Sequence, residues 1–413
     1  MTTPPFAAAL AFAQDLIRIP GAPGCEGDVA VRVAAEFERL AFDEVYTDEV
    51  GNVIGIIRGN ADAPPVMLSS HMDVVDVGDS ASWEYPPYDA VVADGYLHGR
   101  GAMDIKGPLA IQTYAAAHFV GRPPAGDIIV AHTVLEERGG WGMEHLMNAC
   151  EESTTRVSKP GVTHIRKPGA VIIGEATNGD ICVGHRGRAE IIIDVIGLAG
   201  HASAPERARN PLDVLPSLLP ALQSFSAKLV EIDPLLGRSS AVPTAIETLP
   251  RSRNVIPDIA RVVLDWRVLP FVTAENAVTM LRQHLDRNVT LPEGFGMDIR
   301  YSVERQRTYT GKQRDRRMFT PGFLLDPQHA VAKAAVAVIK TESGRMPAIR
   351  PWTFATDGGH TCGVHGIPTI GYAPGEERYA HTNRERLALD QAEQVYNTYP
   401  KLIAAVSATI GMK

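Results

Sequence analysis

A histidine and an aspartate two residues apart, His71 and Asp73, follow the apolar run 66–68. Residues i and i+2 of an extended segment point to the same side, so Asp73 can support His71. A metal-bound imidazole usually donates its second N–H to a nearby acceptor such as a carboxylate, which fixes the tautomer of the ring. The spacing therefore favours a metal site, although a lone histidine in this place can also cap or pack against a strand.

Five further candidate ligands share one placement, either after an apolar strand-like run or in a turn that opens a helix: Asp104, Glu136, Glu137, Glu175 and His381. In open α/β sheets, ligands bind beyond the carboxyl ends of the strands. Ligands that are histidines and carboxylates, with no thiolate, suit zinc, with cobalt or manganese as alternatives. The shared placement predicts a metal-dependent hydrolase.

Structural interpretations of these residues stay open at this point. Glu136 and Glu137 can be solvated charges, and Asp104 can bond the backbone of its own glycine-rich turn. If the end of the sheet is covered, burying two adjacent glutamates is costly. A functional interpretation resolves this if one glutamate binds a metal ion and the other accepts a proton from metal-bound water. The turn 99–107 lacks a complete nucleotide-binding pattern, and the chain contains no Gly-x-Ser-x-Gly elbow. These absences argue against a phosphate-binding loop and a serine hydrolase.

The composition is that of a soluble globular protein. The 413 residues carry a net charge of −8, and no apolar run approaches the ~20 residues that span a bilayer. We therefore expect neither nucleic-acid nor membrane partners. The apolar N-terminal stretch continues with helical periodicity, which predicts a first helix and a cytoplasmic protein rather than a signal peptide. The four cysteines show no Cys-x-x-Cys spacing and are expected to be reduced thiols.

Strand and helix patterns predict an α/β fold in two units. Residues 1–186 and 306–413 alternate strands and helices, which predicts a catalytic domain with a mixed, mostly parallel sheet covered by helices. Residues 187–305 read β-α-β-β-α-β, the order of a split βαβ unit, and predict an inserted α+β domain. Residues 153–168 are expected to form a surface insertion, and the arginine-rich residues 305–322 a solvated connecting loop rather than a nucleic-acid patch.

The order and spacing of seven short motifs resemble one protein family. The motifs are 70–75 (SHMDVV), 99–107 (GRGAMDIKG), 135–137 (LEE), 174–177 (GEAT), 200–205 (GHASAP), 253–257 (RNVIP) and 380–383 (AHTN). They resemble the di-zinc metallopeptidase superfamily that includes aminoacylase-1, glutamate carboxypeptidase, acetylornithine deacetylase and succinyl-diaminopimelate desuccinylase. Within it, the chain is most similar to the selenium-metabolism-linked hydrolases.

The resemblance implies a site with two zinc ions, for which cobalt or manganese can substitute. One zinc would be held by His71, Asp104 and Glu175, and Asp104 would bridge to a second zinc held by Glu137 and His381. Glu136 would be the general base and Asp73 would orient His71. The peptide bond after Asp104 is expected to be cis.

The resemblance also implies a homodimer formed through the inserted domain, which acts as a lid. His201 would reach the partner's site, and the predicted substrate contacts are Asn254, Arg267, Gly358 and Gly359. Glu175, rather than an aspartate, favours hydrolysis of an N-acyl or N-carbamoyl amino acid or of a short peptide with a free carboxylate. A dipeptidase or aminopeptidase, and a non-catalytic metal-binding dimer, remain as alternatives. The role of Glu385, in a variant of the last motif, stays open.

Overall fold

The computed structural model describes residues 4–151 and 165–411. Within these ranges the α-helices are α1 Phe6–Ile17, α2 Gly27–Arg39, α3 Lys106–Ala117, α4 Trp141–Glu151, α5 Leu215–Lys228, α6 Ala277–Asn288, α7 Ala330–Ser343 and α8 Leu389–Ile410. The predicted first helix is confirmed as α1. None of the described helices is long and apolar enough to cross a bilayer.

The strands fall into an N-terminal, a central and a C-terminal group. Those before residue 187 are β1 Glu44–Thr47, β2 Val53–Ile57, β3 Ala63–His71, β4 Val91–Ala93, β5 Tyr96–His98, β6 Gly126–Thr133, β7 Ala170–Ile173, β8 Ile181–Cys182 and β9 Gly184–His185. The central strands are β10 Gly187–Ile196, β11 Gly200–His201, β12 Ile232–Asp233, β13 Gly237–Arg238, β14 Ser240–Leu249, β15 Val255–Ile256, β16 Ile259–Val268 and β17 Gly296–Tyr301. The last are β18 Val303–Arg307, β19 Gln313–Arg317, β20 Phe319–Thr320, β21 Phe323–Leu324, β22 Ile349–Arg350, β23 Thr369–Gly371 and β24 Arg386–Ala388.

The first sheet has eight strands in the order β1-β2-β6-β3-β7-β23-β8-β22. Its centre, from β6 to β23, is parallel, whereas β1, β2 and β8 bring in antiparallel pairs. Strands β2, β6 and β7 are buried along their whole length, as expected of strands covered on both faces. Every residue of α3 is buried, because the helix packs between α1, α8 and the sheet. The predicted mixed, mostly parallel sheet is confirmed.

The second sheet is antiparallel, in the order β14-β16-β10-β17, and β20 also pairs with β10. Burial alternates strictly along β16, because one face of the sheet packs on α5 and α6. The chain order β10-α5-β14-β16-α6-β17 is the predicted split βαβ order. The domain limits at residues 187 and 305 stay a prediction, since β20 joins this sheet from residue 319.

The expectation of a connecting loop at 305–322 is wrong. These residues form the β18–β19 hairpin and then β20. The residues of the hairpin that point inward are polar, among them Gln306 and Arg316, so the alternation of buried and exposed residues leaves no hydrophobic period in the sequence. Most of the other predicted insertion, residues 153–164 of 153–168, lies outside the described residues. All four cysteines are free thiols.

Two chain segments connect the sheets, and they pair with each other. Strand β9 leads into the second sheet and β21 leads out of it, with Phe323 opposite His185. A β-carbon at Gly184 would lie 2.5 Å from the Phe323 carbonyl oxygen, and one at Gly187 would lie 2.5 Å from that of Thr320. Glycine at both positions therefore allows the two backbones to approach closely.

Candidate metal centre

The carboxyl ends of adjacent parallel strands gather the candidate ligands. His71 is the last residue of β3, Glu136 follows β6 by three residues, and Glu175 follows β7 by two. His381 lies in the loop after β23, with a left-handed φ of 60°. Asp104 lies just before α3, and its peptide bond to Ile105 is cis, as the resemblance implied. Residues far apart in the chain thus meet at one edge of the sheet.

Asp104 lies between the two histidines. Its Oδ1 is 3.5 Å from His71 Nε2, and its Oδ2 is 3.2 Å from His381 Nε2. On the His71 side, Glu175 Oε1 is 3.2 Å from the same Nε2, and on the other side Glu137 Oε1 is 3.1 Å from His381 Nε2. The structure therefore brings together all five predicted ligands, with Asp104 offering one oxygen to each half.

Glu136 lies beside this group, with Oε2 3.9 Å from His71 Nε2. Burial, together with the charges of Glu175, Asp357 and Glu137, raises the pKa of Glu136 well above its usual range, against the opposing effect of His71. Burial likewise raises the pKa of Glu175 to about 7. So many carboxylates in one buried cluster repel one another unless cations lie among them.

The donor set fits metal ions. Ligand atoms of His71, Asp104 and Glu137 lie within 4.8 Å of one another, as do those of His71, Glu136 and Glu175. Among the residues that the structure describes, the buried His71 Nε2 has no hydrogen-bond partner, although the ring's Nδ1 is bonded. An imidazole nitrogen left without a partner among carboxylate oxygens is the arrangement that zinc, cobalt or manganese would complete.

Two buried carboxylates hold the backbone that carries the paired glutamates. Asp73 Oδ1 and Oδ2 accept the N–H groups of Glu136 and Glu137, each at 3.1 Å, and Glu26 Oε1 accepts that of Leu135 at 3.2 Å. The Asp73 main-chain carbonyl lies 2.9 Å from His71 Nδ1, whereas its carboxylate lies at 3.5 Å. Asp73 therefore contacts His71 mainly through the backbone. No motif or spacing marked Glu26 in advance, because it is an ordinary glutamate directly before α2.

Glu385 has a definite place in the structure. It is almost wholly buried, and its Oε1 accepts the backbone N–H groups of Met103 and Asp104 at 3.1 and 3.0 Å. Its Oε2 pairs with Arg100 Nη1 at 2.6 Å, and that side chain is also buried. Burial, and then the charge of Asp104, raise the pKa of Glu385 to about 7, against the effect of Arg100. Glu385 thus holds the peptide groups that position Asp104.

A cavity of about 280 Å³ opens beside the centre. Its lining includes Glu136, Glu137 and His381 and also three arginines from the second sheet and the hairpin: Arg188, Arg267 and Arg316. Arg267 was predicted as a substrate contact, whereas Arg188 and Arg316 were missed. Asp357 and the buried His360 also line this cavity. The alternation of β10 shows which face Arg188 occupies, but periodicity alone does not place that face over the metal site.

The remaining predicted contacts lie elsewhere in the single chain. His201 and Asn254 are exposed and do not line the cavity; His201 Nδ1 lies 2.6 Å from Ser203 Oγ, and Asn254 accepts from the Ser252 hydroxyl. Gly358 and Gly359 are buried beneath the cavity. A β-carbon there would lie 2.3 Å from the Phe323 ring or 2.2 Å from the Pro321 carbonyl oxygen, respectively, so close packing explains both glycines.

Known proteins share this sequence pattern and this fold. The protein called "Uncharacterized protein YgeY" of Escherichia coli (strain K12) is 30% identical over 381 residues, covering 91% of this chain and 88% of that protein. A succinyl-diaminopimelate desuccinylase of Methylobacterium sp. (strain 4-46) is 31% identical over 353 residues, covering 82% of each chain.

Solved structures support the fold. The M20 family metallo-carboxypeptidase Sso-CP2 from Sulfolobus solfataricus superposes with a TM-score of 0.72 at 16% identity, covering 97% of this chain and 99% of that one. The YXEP protein of Bacillus subtilis, described as a dinuclear metal-binding peptidase, gives 0.66 at 15% identity, covering 98% of each. Residues 67–405 match the family model for peptidase family M20/M25/M40. The chain therefore belongs to peptidase family M20/M25/M40, a family of metallo-hydrolases.

Proposed function

We propose that this protein hydrolyses the amide bond of an N-acyl or N-carbamoyl amino acid, or of a short peptide with a free carboxylate. The observation that carries the proposal is the position of Asp104, whose two carboxylate oxygens each face one histidine. A carboxylate shared in this way suits a bridge between two metal ions. The name of the desuccinylase relative, which refers to removal of an acyl group, supports the deacylase assignment over the peptidase one.

The proposed metal ligands divide into two sets that share Asp104. His71 and Glu175 complete one set, and Glu137 and His381 complete the other. When bound, two zinc, cobalt or manganese ions would polarise the substrate carbonyl and acidify the attacking water. Glu385 and Asp73 keep the backbone of both sets in place by accepting main-chain N–H groups.

Glu136 is the proposed general base. It is buried beside His71, and its pKa is raised by burial first and then by the neighbouring carboxylates, so its carboxylate has a high affinity for a proton. It accepts the proton of the attacking water and returns it to the nitrogen of the leaving amine. The Asp73 carboxylate accepts the main-chain N–H of Glu136 and so holds its backbone in place. The proton is then transferred by the Glu136 side chain without movement of the backbone.

The variant Glu136→Gln tests this role. It keeps the size of the side chain but removes the base, so turnover should fall about 10²–10⁴-fold while the metal content of the protein stays the same. Steady-state kinetics and elemental analysis measure the two effects, and Glu49→Gln, at a surface glutamate, is the matched control. Full activity in Glu136→Gln would refute the assignment.

A substrate screen tests the reaction class. N-acetyl, N-succinyl and N-carbamoyl amino acids are compared with dipeptides and tripeptides, each with zinc, cobalt or manganese added. Faster hydrolysis of the acyl compounds supports the proposal, and faster hydrolysis of the peptides supports the dipeptidase alternative. Two metal ions per chain with no hydrolysis of any compound would favour a non-catalytic metal-binding protein.

We also propose a homodimer in which His201 completes the partner's site and supports the developing oxyanion. His201 is exposed and lies away from the cavity of its own chain, which suits a contribution in trans. Arg267, and Asn254 from the same surface as His201, would hold the substrate carboxylate. In His201→Ala, we expect activity to fall while metal content and the mass measured by light scattering stay those of the wild-type dimer. A monomeric mass for the wild type would contradict the proposal.

A further inference from the structure

The three cavity arginines lie in one row, two of them on the second sheet and the third on the adjoining hairpin. Arg267 on β16 pairs directly with Arg188 on β10, and Arg188 pairs with Thr320 on β20. Arg316 extends the row by donating to Thr320 Oγ1 at 3.0 Å and to the Phe319 carbonyl at 2.8 Å. Neighbouring strands lie about 5 Å apart, so the row spans about 10 Å from β16 to β20. Arg267 lies at one end of the row and Arg316 at the other.

The arginines differ in how their charges are balanced. Arg188 pairs with Asp265 at 2.6 Å and with Glu190 at 2.9 Å, and Arg267 pairs with Asp265 at 2.8 Å. Arg316 is only 7% exposed, yet no carboxylate of the described residues lies within ion-pair distance of it. Burial, and then the charges of Arg314 and Arg188, lower its pKa to about 10, against the opposing charges of Glu144 and Glu304. A buried cation that no carboxylate contacts directly is costly, so an anion from outside the chain would stabilise it.

The acidic residues of the cavity do not provide that anion. Glu136, Glu137 and Asp357 line the cavity, but none of them forms an ion pair with the three arginines within the described residues. Asp357 accepts instead from the Thr133 hydroxyl at 2.8 Å, at the end of β6. The arginines and the carboxylates that line this cavity are therefore not paired with one another, so the arginines can offer positive charge to a substrate bound there.

We propose that Arg316, together with Arg188, binds a second carboxylate of the substrate, apart from the one held at Arg267. This inference rests on the proposed amide hydrolysis and narrows its substrate class to N-acyl amino acids with two carboxylates. The second carboxylate belongs either to a dicarboxylic acyl group or to an acidic side chain. Guanidinium groups bind both through the same bidentate hydrogen bonds.

Two matched substrate pairs separate these sources. N-succinyl-L-alanine is compared with N-succinamoyl-L-alanine, and N-acetyl-L-glutamate with N-acetyl-L-glutamine, with the metal-loaded full chain. We expect kcat/KM to favour the charged member of one pair by about tenfold or more, and that pair identifies the source. In Arg316→Gln this preference should fall to about one, because the charged hydrogen bond that produces it, worth about ten- to a hundredfold, is lost.

The readout is a ratio of kcat/KM values, so a partly misfolded variant does not change it. Arg316→Lys keeps the charge without the bidentate geometry and should give an intermediate preference. Arg305→Gln, at an exposed arginine of the same hairpin, should leave the preference unchanged. A preference below about twofold for both pairs in the wild type, or an unaltered preference in Arg316→Gln, would overturn the inference.

Calorimetry distinguishes failure of this inference from failure of the proposed reaction. If no substrate is hydrolysed, binding of succinate and of succinamate to the metal-loaded protein is measured instead. Tighter binding of succinate that is lost in Arg316→Gln supports the anion site even though the amidase proposal fails. Equal binding of the two compounds to the wild type overturns the anion site as well.

Discussion

Replacing Glu385 with alanine should lower both the stability of the protein and its metal content. The change leaves Arg100 as an unpaired buried cation and removes the acceptor of the Met103 and Asp104 N–H groups. Breaking a buried ion pair costs about 3–5 kcal/mol, so we expect the free energy of unfolding of Glu385→Ala to fall by that amount. Asp104 loses the anchor of its peptide group, so metal ions bound per chain should also fall.

A double variant separates the loss of stability from the loss of metal binding. Arg100→Met with Glu385→Leu removes both charges, and such replacements are often close to neutral for stability. Its unfolding free energy should recover to within about 2 kcal/mol of the wild type, because neither of the two replaced side chains leaves its partner as an unpaired buried charge. Metal content and turnover should stay low, because the two N–H groups still lack their acceptor.

Urea unfolding at pH 8 measures the stabilities, since Glu385 is ionised above its pKa of about 7. Elemental analysis gives the metal content of each variant. Asp315→Ala is the control, because Asp315 pairs with Arg305 on the surface and its loss should cost less than about 1 kcal/mol. If Glu385→Ala is no less stable than this control and keeps its metal, the assigned role of Glu385 is wrong.

Three further predictions concern the metals, the backbone anchor and pH. Chelation of the metals should lower the melting temperature in scanning fluorimetry, because the crowded carboxylates lose their counterions, and added zinc should restore it; no shift would argue against a metal centre. Glu26→Gln weakens the anchor of Leu135, so kcat should fall about tenfold with KM and metal content unchanged, and a change in KM alone would contradict that role. Burial lowers the pKa of His132 in the folded protein to about 3. Below pH 6.5 the unfolded chain therefore takes up a proton that the folded chain does not, and the free energy of unfolding decreases as the pH is lowered. Urea unfolding should show that the wild type loses about 2 kcal/mol more than His132→Gln between pH 6.5 and 5; equal losses would contradict this.

Residues placed by regular strand geometry were predictable from the sequence. Each candidate ligand follows an apolar strand-like run or opens a helix, and the parallel order of β6, β3, β7 and β23 brings those strand ends together. Because the strands were recognisable by their apolar runs, the edge at which His71 and Glu175 meet followed from fold class alone. The roles of these residues rest on the family resemblance and stay predictions.

Other features could not be predicted, because their causes lie between segments that are distant in the chain. Glu26 meets Leu135 across 109 residues, and Glu385 meets Asp104 across 281 residues. The β18–β19 hairpin was missed because its inward side chains are polar, so no hydrophobic alternation marks it. Arg316 shows the same limit, since only the folded hairpin reveals that this arginine is buried.

The paired crossing of β9 and β21 restricts how the two sheets can move relative to each other. Two independent connecting segments would allow rotation about several axes. Two hydrogen-bonded strands must bend together, so they act as one hinge. The Leu325 N–H also donates to the Val183 carbonyl at 2.7 Å, so twisting the crossing would break main-chain hydrogen bonds. We therefore expect rotation about a single axis to cost least; it would move Arg188 and Arg267 of the second sheet relative to the metal ligands, whereas the hairpin that carries Arg316 stays attached to α4 through the Arg314–Glu144 ion pair.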